Sequence, residues 1–522
     1  MLFFIRTDAS LELGSGHVMR CLTLANAFCE LGHKVVFICK EHDSNLINKI
    51  IDSGYEVKGL FTTSDNDVDS SLAHAQWLGG TQEDDAEKTI AAMNSVEVDW
   101  MIVDHYALNE CWHKKIRPYV KRILVIDDLG DRKYDCDILL DQNLGATKEK
   151  YQEMVPNECE LLLGPEYALL RPKFAQWRER SLKRRKYVKE PKNILVSLGG
   201  VDPQNITTNV INELSNISAL ADAEVNVVLG SQSPHIKAVE MAAKKSRLEV
   251  NVYIDTSHMA ELMSQADLAI GASGSSSWER CSLGLPTINY VIADNQKPIA
   301  KELAKNGASI TIQSTDDLSV AIGKLKESLS AFSMASAELV DGLGVLRVID
   351  KLFFKYFTIS TNNFDLTVID LTKLSRHKII EVLEARNHRD VRANMFDKNI
   401  ISLEEHLAFI ENLLADTTSR HFFVSQDEKF IGVFNLKDID WMNKSASFGI
   451  YANLLKKVDM AGEKLMVAAD FLIKKMGLSL ITLMVESKNH KAQNLYEKWG
   501  YKVVGSKKVN GLLYISYEKT YA

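Results

Sequence analysis

Gly14-Ser15-Gly16-His17-Val18-Met19-Arg20 is the stretch on which the fold is decided. It follows an apolar run at residues 2–5 and leads into Leu22, Leu24 and Ala27 at helical spacing, so it reads as strand, glycine turn and helix. Glycines at 14 and 16 admit positive φ and let a ligand approach the backbone closely. The helix start offers unpaired N–H groups to an anion, so a phosphorylated substrate can dock there. Two common phosphate loops do not fit. The dinucleotide fingerprint requires a third glycine where Met19 stands, and the Walker loop requires Gly-Lys-Ser/Thr where this chain has Gly-His-Val. What remains is an imidazole, His17, at the top of a sheet, where it can serve as a base or acid near neutral pH. The competing reading is a histidine that only caps or packs the helix start.

Outward from that loop, residues 1–144 alternate short apolar strands, at 34–39, 100–105, 122–127 and 138–141, with helical stretches. The alternation predicts a doubly wound parallel sheet. Asp104-His105-Tyr106, Asp127-Asp128 and Asp141-Gln142-Asn143 sit just past strand ends, where open α/β sheets bind ligands, and so share a crevice with His17. Polar surface loops would look the same. A basic segment at 183–192 reads as a linker. The pattern then restarts with a strand at 193–198, a Gly199-Gly200 turn, and Asp202-Pro203 as helix cap and first-turn proline. Further strands are expected at 224–229, 250–254, 268–270 and 287–291. Gly271-Ala272-Ser273-Gly274-Ser275-Ser276-Ser277-Trp278-Glu279 follows one of them. Such a loop either wraps a diphosphate with N–H and hydroxyl donors while Glu279 accepts from ribose hydroxyls, or is a flexible turn.

The totals narrow the field. A chain of 522 residues predicts two to four domains, and 46% hydrophobic with 25% charged residues is globular composition. A net charge of −7 gives no footprint for nucleic acid. The seven cysteines include no Cys-x-x-Cys pair and read as reduced thiols, with no metal site expected. Only four apolar residues follow Met1 before Arg6, so no signal peptide is expected, and no 18-residue apolar run for a membrane span is expected either; a cytoplasmic protein without a membrane partner is the expectation.

Here the residues carry a resemblance. Two Rossmann-like halves with facing glycine loops resemble the GT-B nucleotide-sugar enzymes. The strings Gly14-Ser15-Gly16-His17 with Arg20, Asp104-His105-Tyr106, Ile126-Asp127-Asp128 and Asp141-Gln142-Asn143 are similar to the UDP-sugar hydrolase family of pseudaminic acid biosynthesis. So are Tyr167-Ala168-Leu169-Leu170-Arg171-Pro172, Ser197-Leu198-Gly199-Gly200, Gly274-Ser275-Ser276-Ser277-Trp278-Glu279 and Asp341-Gly342-Leu343-Gly344, in order over residues 1 to about 350. That family removes UDP from UDP-2,4-diacetamido-2,4,6-trideoxy-β-L-altropyranose by inverting attack of water, without a metal. The resemblance implies that His17 activates the water. It places Gly14, Gly16, Arg20, Asp104, Tyr106, Asn143, Arg171, Gly199, Gly200, Gly274, Ser275, Ser276 and Glu279 against the substrate. A diphosphate is already a good leaving group, so a base on the opposite face is needed more than an acid.

After a helical stretch near 335–356, the polar segment 357–364 reads as a linker. A third unit follows, with strands at 366–369, 421–425, 430–436, 445–451 and 479–485 and helices at 378–387, 402–414, 462–476 and 491–499. This order resembles the GNAT acetyltransferase fold, as do Ile431-Gly432, Met460-Ala461-Gly462-Glu463-Lys464-Leu465, Asn489-His490-Lys491-Ala492, Leu495-Tyr496 and Trp499-Gly500-Tyr501. The resemblance implies acetyl-CoA as co-substrate, its pyrophosphate at Ala461, Gly462 and Glu463, Asn489 as a coenzyme contact, and Tyr496 as the acid for the departing thiolate. Val458-Asp459-Met460-Ala461-Gly462 stands where the family usually has more glycines and a basic residue or Gln. Residues 386–396 with His406 resemble the acetyltransferase acting on the 4-amino group of UDP-4-amino-4,6-dideoxy-N-acetyl-β-L-altrosamine. Arg389 and Arg392 suit its diphosphate, or are solvated charges at a helix end. For the amine base, Glu486, His490 and a bound water stay open.

The expected architecture is therefore α/β, a GT-B-like pair of Rossmann-like domains (1–182 and 193–356) followed by a GNAT domain (364–522). The leading reading is a bifunctional enzyme using a UDP-linked amino sugar and acetyl-CoA. A GT-B glycosyltransferase and a hydrolase with an inactive GNAT-like binding module are the alternatives.

Overall fold

The computed structural model describes residues 1–10, 13–61, 72–353, 356–361, 364–509 and 511–521. The first sheet is built from β1 (Leu2–Thr7), β2 (Lys34–Lys40), β3 (Glu56–Leu60), β4 (Val98–Asp104), β5 (Val120–Ile126), β6 (Ile138–Asp141) and β7 (Glu160–Leu163). All pairs are parallel, in the order β3-β2-β1-β4-β5-β6-β7. Their apolar runs are buried because helices cover the sheet, as parallel sheets require. The order reverses between β1 and β4, a topological switch point, and the residues that leave both strands there are Gly14 to His17 and Asp104 to Tyr106.

The second sheet repeats the plan with β8 (Asn193–Ser197), β9 (Glu224–Leu229), β10 (Glu249–Ile254), β11 (Leu268–Ala272), β12 (Thr287–Tyr290) and β13 (Ser309–Ile312). Its order β10-β9-β8-β11-β12-β13 is again wholly parallel and switches between β8 and β11. Gly199-Gly200 and Ser273-Gly274 leave the sheet at that point. Both expected doubly wound halves are thus present.

The third sheet comprises β14 (Tyr356–Ser360), β15 (Asp365–Asp370), β16 (Arg420–Gln426), β17 (Lys429–Asp440), β18 (Ser445–Ala452), β19 (Leu480–Glu486), β20 (Lys502–Val509) and β21 (Leu512–Thr520). It is antiparallel except between β18 and β19, which pair in parallel only from Ser445↔Leu480 to Ser447↔Thr482. Beyond those residues the two strands run on to Ala452 and Glu486 without pairing to each other, which leaves a gap in the middle of the sheet.

Four expectations are corrected. The basic segment 183–192 is not a free linker, because the helix Pro172–Arg185 carries its first three residues. Arg185 is buried and donates to the carbonyls of Leu283, Ala266 and Met263, and Arg178 donates to those of Ser282, Ala337 and Val340. The chain therefore joins the second half before this helix rather than after it. The segment 357–364 is not a polar linker either: β14 pairs with β15 from Tyr356↔Ile369 to Ser360↔Asp365, while Asn362 and Asn363 lie outside the described residues. Asp202 and Pro203 precede the next helix by more than expected, since it begins at Ile206, yet Asp202 still accepts from the N–H groups of Ile206 and Thr207. Finally, 329–349 is apolar and long enough to cross a membrane by composition, but it folds as two helices, Leu329–Leu339 and Gly344–Phe353. By contact density the chain divides into two units, Met1–Val348 and Ile349–Ala522.

Candidate functional site

In the first unit, the turn at Gly14 has φ of 71°, which a side chain would strain, and its N–H donates to the Ser10 carbonyl at 2.9 Å. This turn starts the helix Gly16–Glu30 directly over the end of β4. His17 is thereby buried, with Nδ1 2.6 Å from Oδ1 of Asp104. One helical turn on, Arg20 grips the same carboxylate with two prongs, Nε to Oδ2 and Nη2 to Oδ1, each at 2.6 Å. Burial disfavours the Asp104 carboxylate, but Arg20 and His17 outweigh it and hold the group well below the ordinary carboxylate range. Asp104 can only accept and Arg20 Nη2, 3.2 Å from the same Nδ1, can only donate; the shorter contact to Asp104 assigns the His17 proton to Nδ1 and leaves Nε2 as the acceptor.

Around this pair stand groups from three other segments. The Tyr106 ring meets the His17 ring edge-on at 4.6 Å, and its hydroxyl donates to the Asp128 carboxylate. Burial, with Asp128 beside it, raises the Tyr106 phenol well above its usual value. His74 and Trp77 stack at 4.1 Å and lie 5.7 and 5.9 Å from the Tyr106 ring, an aromatic wall that the sequence reading missed. Behind it, Asp8 at the end of the first strand is buried, bonded to Arg6 at 2.6 Å and 3.2 Å from His105 Nε2. Neither group was singled out in sequence, since no motif spacing links them.

The two switch points face each other. A Cβ added to Gly16 would lie 3.9 Å from Ser275 Oγ, so the His17 loop and the serine loop nearly touch. Between them is a cavity of about 170 Å³ lined by Ser15, Gly16, Arg20, Gln142, Arg171, Ser275, Ser276, Trp278 and Glu279, among others. Of the expected residues, Gly16, Arg20, Arg171, Ser275, Ser276 and Glu279 meet there. Gln142 lines the cavity, with its Oε1 accepting from the Leu169 N–H; Asn143 is not among the lining residues, and its N–H donates to Asp141 Oδ1. Arg171 and Glu279 are each other's partner at 3.1 Å, and burial raises the Glu279 carboxyl against the pull of Arg171. Gly199 and Gly200 are exposed at the end of β8 and are not among the lining residues. Gly274 adds no Cβ contact. Arg280, overlooked in sequence, is buried and holds the serine loop through Ala272 O, Ser277 Oγ and Asn289 Oδ1. Burial lowers it to about 10, against the opposing pull of Cys281 and Glu279.

In the second unit, Tyr496 lies on the helix His490–Lys498, packed among Phe448, Tyr501 and Tyr517. Burial pushes its phenol up to about 12, which keeps it protonated near neutral pH. The helix Ala461–Lys475 begins at Met460 with no side-chain cap, so Ala461 and Gly462 stand at an open helix start. A Cβ on Gly462 would sit 3.1 Å from Leu495 Cδ2. Glu463 is turned away, bonded to Lys498 and to Trp499 Nε1 at 2.8 Å, and ties the two helices together. Asn489 caps its own helix through the Ala492 N–H and donates to Asn394 Oδ1 at 3.2 Å. Arg392 is engaged with the carbonyls of Asn387 and Lys398, whereas Arg389 is exposed.

Residues 194–340 match the glycosyltransferase family 28 C-terminal domain, and residues 372–513 match the acetyltransferase (GNAT) domain. The uncharacterized protein MJ1062 of Methanocaldococcus jannaschii is 31% identical over 294 residues, 55% of this chain and 55% of its own, so the chain spans about half of that relative. UDP-2,4-diacetamido-2,4,6-trideoxy-β-L-altropyranose hydrolase of Campylobacter jejuni is 26% identical over 314 residues, 59% of this chain and 98% of its own. Acetyltransferase PseH of Campylobacter jejuni is 34% identical over 134 residues, 25% of this chain and 80% of its own. A crystal structure of the Campylobacter jejuni PseH aligns with 30% of this chain and 99% of its own at 23% identity and a TM-score of 0.25. The chain is thus an enzyme that joins a unit related to that UDP-sugar hydrolase to a GNAT unit that belongs to the acetyltransferase PseH family.

Proposed function

We propose that the two units catalyse consecutive steps on one UDP-linked amino sugar: the second transfers acetyl from acetyl-CoA to the 4-amino group, and the first then hydrolyses UDP from the diacetamido product. The observation that carries the hydrolase reading is the His17–Asp104 pair at 2.6 Å, set at one switch point next to Gly16, whose added Cβ would come within 3.9 Å of Ser275 Oγ in the serine loop of the other. With its Nδ1 proton held by Asp104, His17 takes a proton from water at Nε2. The water oxygen attacks the anomeric carbon as the bond to the diphosphate oxygen breaks, so the configuration inverts and UDP leaves. The serine loop receives the diphosphate, and Glu279 exchanges its Arg171 contact for the ribose. In the second unit the sugar amine attacks the thioester carbonyl and gives up a proton to Glu486, His490 or a bound water, the C–S bond breaks, and Tyr496 protonates the leaving thiolate.

The test is UDP release from the pre-acetylated sugar nucleotide with no acceptor present. His17→Ala should lower turnover by roughly 10²–10⁴-fold with little change in UDP affinity. Near-normal turnover in the folded variant removes His17 from the mechanism. Since 194–340 match a glycosyltransferase family, UDP release that requires an added sugar or lipid acceptor would replace hydrolysis with transfer.

A further inference from the structure

A carboxylate bonded to an imidazole makes that imidazole easier to protonate, and a protonated His17 cannot accept a proton from water. Asp104 is therefore useful as an orienting group and harmful as an uncompensated charge. The sequence placed Arg20 against the substrate, but its Nε and Nη2 are both taken by Asp104 at 2.6 Å, and its Nη1 lies 3.7 Å from Asp128. We propose that Arg20 is a positioning residue: its two-pronged grip holds and charge-balances the Asp104 carboxylate that orients the His17 imidazole.

The groups facing His17 make the balance explicit. Asp104 comes from β4, Tyr106 from the turn after it, Asp128 from the turn after β5, His74 from the segment before Ala75–Leu78, and Arg20 from the helix of His17 itself. Tyr106 is neutral and already bonded to Asp128. Asp104 alone pairs with the imidazole, while Asp128 takes the Tyr106 hydroxyl and lies 3.7 Å from Arg20, so removing Arg20 leaves Asp104 without its guanidinium beside His17. Arg20 also borders the cavity through its remaining surface, which is why a purely anion-binding role must be separated from this one by experiment.

The proposal rests on the assignment of His17 as base. Rates of UDP release are measured across pH for the full chain and for Arg20→Met and Arg20→Lys, together with UDP affinity and the NMR titration of the His17 imidazole. Folding is checked by thermal melting. The expected result is an acid limb of kcat/KM displaced upward by about one pH unit or more in Arg20→Met, an intermediate displacement in Arg20→Lys, and a matching shift of the His17 titration. UDP affinity should change by less than about threefold. An unmoved limb with UDP affinity lost tenfold or more would make Arg20 an anion contact and overturn the proposal, as would an unmoved His17 titration in folded Arg20→Met. If His17→Ala retains normal activity, the base assignment fails, and the imidazole titration still decides whether Arg20 controls its charge.

Discussion

His113 in the first unit and His421 in the second are both buried, and burial pushes each imidazole down to about 3, with Arg132 adding to it for His113 and Lys437 for His421. An unfolded histidine titrates near about 6.5, so between those limits the unfolded chain binds more protons than the folded one. The sign follows: stability is fully retained above about pH 6.5 and falls as the pH drops toward 3, by roughly 1.4 kcal/mol per pH unit for each such histidine. Thermal melting between pH 7.5 and 5 should show both units losing stability, and His421→Gln should flatten the slope of the second unit alone. An unchanged slope in that variant would place the acid sensitivity elsewhere. Neither histidine was legible in sequence, because burial is a property of the folded neighbourhood and no spacing announces it. His17 was legible, since two glycines flank its turn and the loop joins a strand to a helix. Asp104 was legible as a strand-end acid, but its bidentate grip by Arg20 was not, because 84 residues separate the two.

The Asp341-Gly342-Leu343-Gly344 string is among those that resemble the hydrolase family, and the structure gives it a packing role. A Cβ on Gly344 would lie 2.3 Å from the Ala168 carbonyl oxygen and 2.6 Å from the Tyr167 carbonyl carbon, so the start of the helix Gly344–Phe353 rests directly on the backbone of 167–168. Arg347 secures the same contact, donating to Glu166 O and pairing with Asp341. Gly344→Ala should therefore destabilise the first unit by about 1–3 kcal/mol, as overpacking against backbone does. Gly323 is the control: it is exposed in the helix Leu318–Glu327 with nothing within 4 Å of an added Cβ. Gly323→Ala should raise stability by up to about 1 kcal/mol, because it removes unfolded-state freedom and improves helix propensity. Equal melting temperatures for the two variants would contradict this reading of the glycines. Element type was readable wherever apolar period was strong, as in β1, β4, β9 and β11. The final pair β20 and β21 went unrecognised, since β20 is almost wholly exposed and carries no apolar alternation.

At the scale of the whole chain, the segment after residue 353 decides how the two activities can be separated. It looked like a tether, because FTISTNNF is polar and short of helix formers. The structure instead uses Tyr356–Ser360 as the edge strand β14, hydrogen-bonded along β15 over five residue pairs. Polar composition does not distinguish an edge strand from a linker, since an edge strand has one ladder and can face water. A fragment that begins at residue 364 would strip β14 and expose the ladder of β15, with Leu366 losing its cover from Ile359. Fragments 1–353 and 356–522 keep every described strand in its own sheet. The expected outcome is that 356–522 melts cooperatively and transfers acetyl, whereas 364–522 melts at lower temperature or aggregates through the exposed edge. Fragment 1–353 should hydrolyse the pre-acetylated sugar nucleotide without acetyl-CoA. In the full chain, Tyr496→Phe should slow acetyl transfer and leave that hydrolysis at its normal rate, because the acid belongs to one unit and the His17 base to the other. Loss of both activities in a folded Tyr496→Phe protein would mean that the two units share one site, and the consecutive-step reading would have to be abandoned.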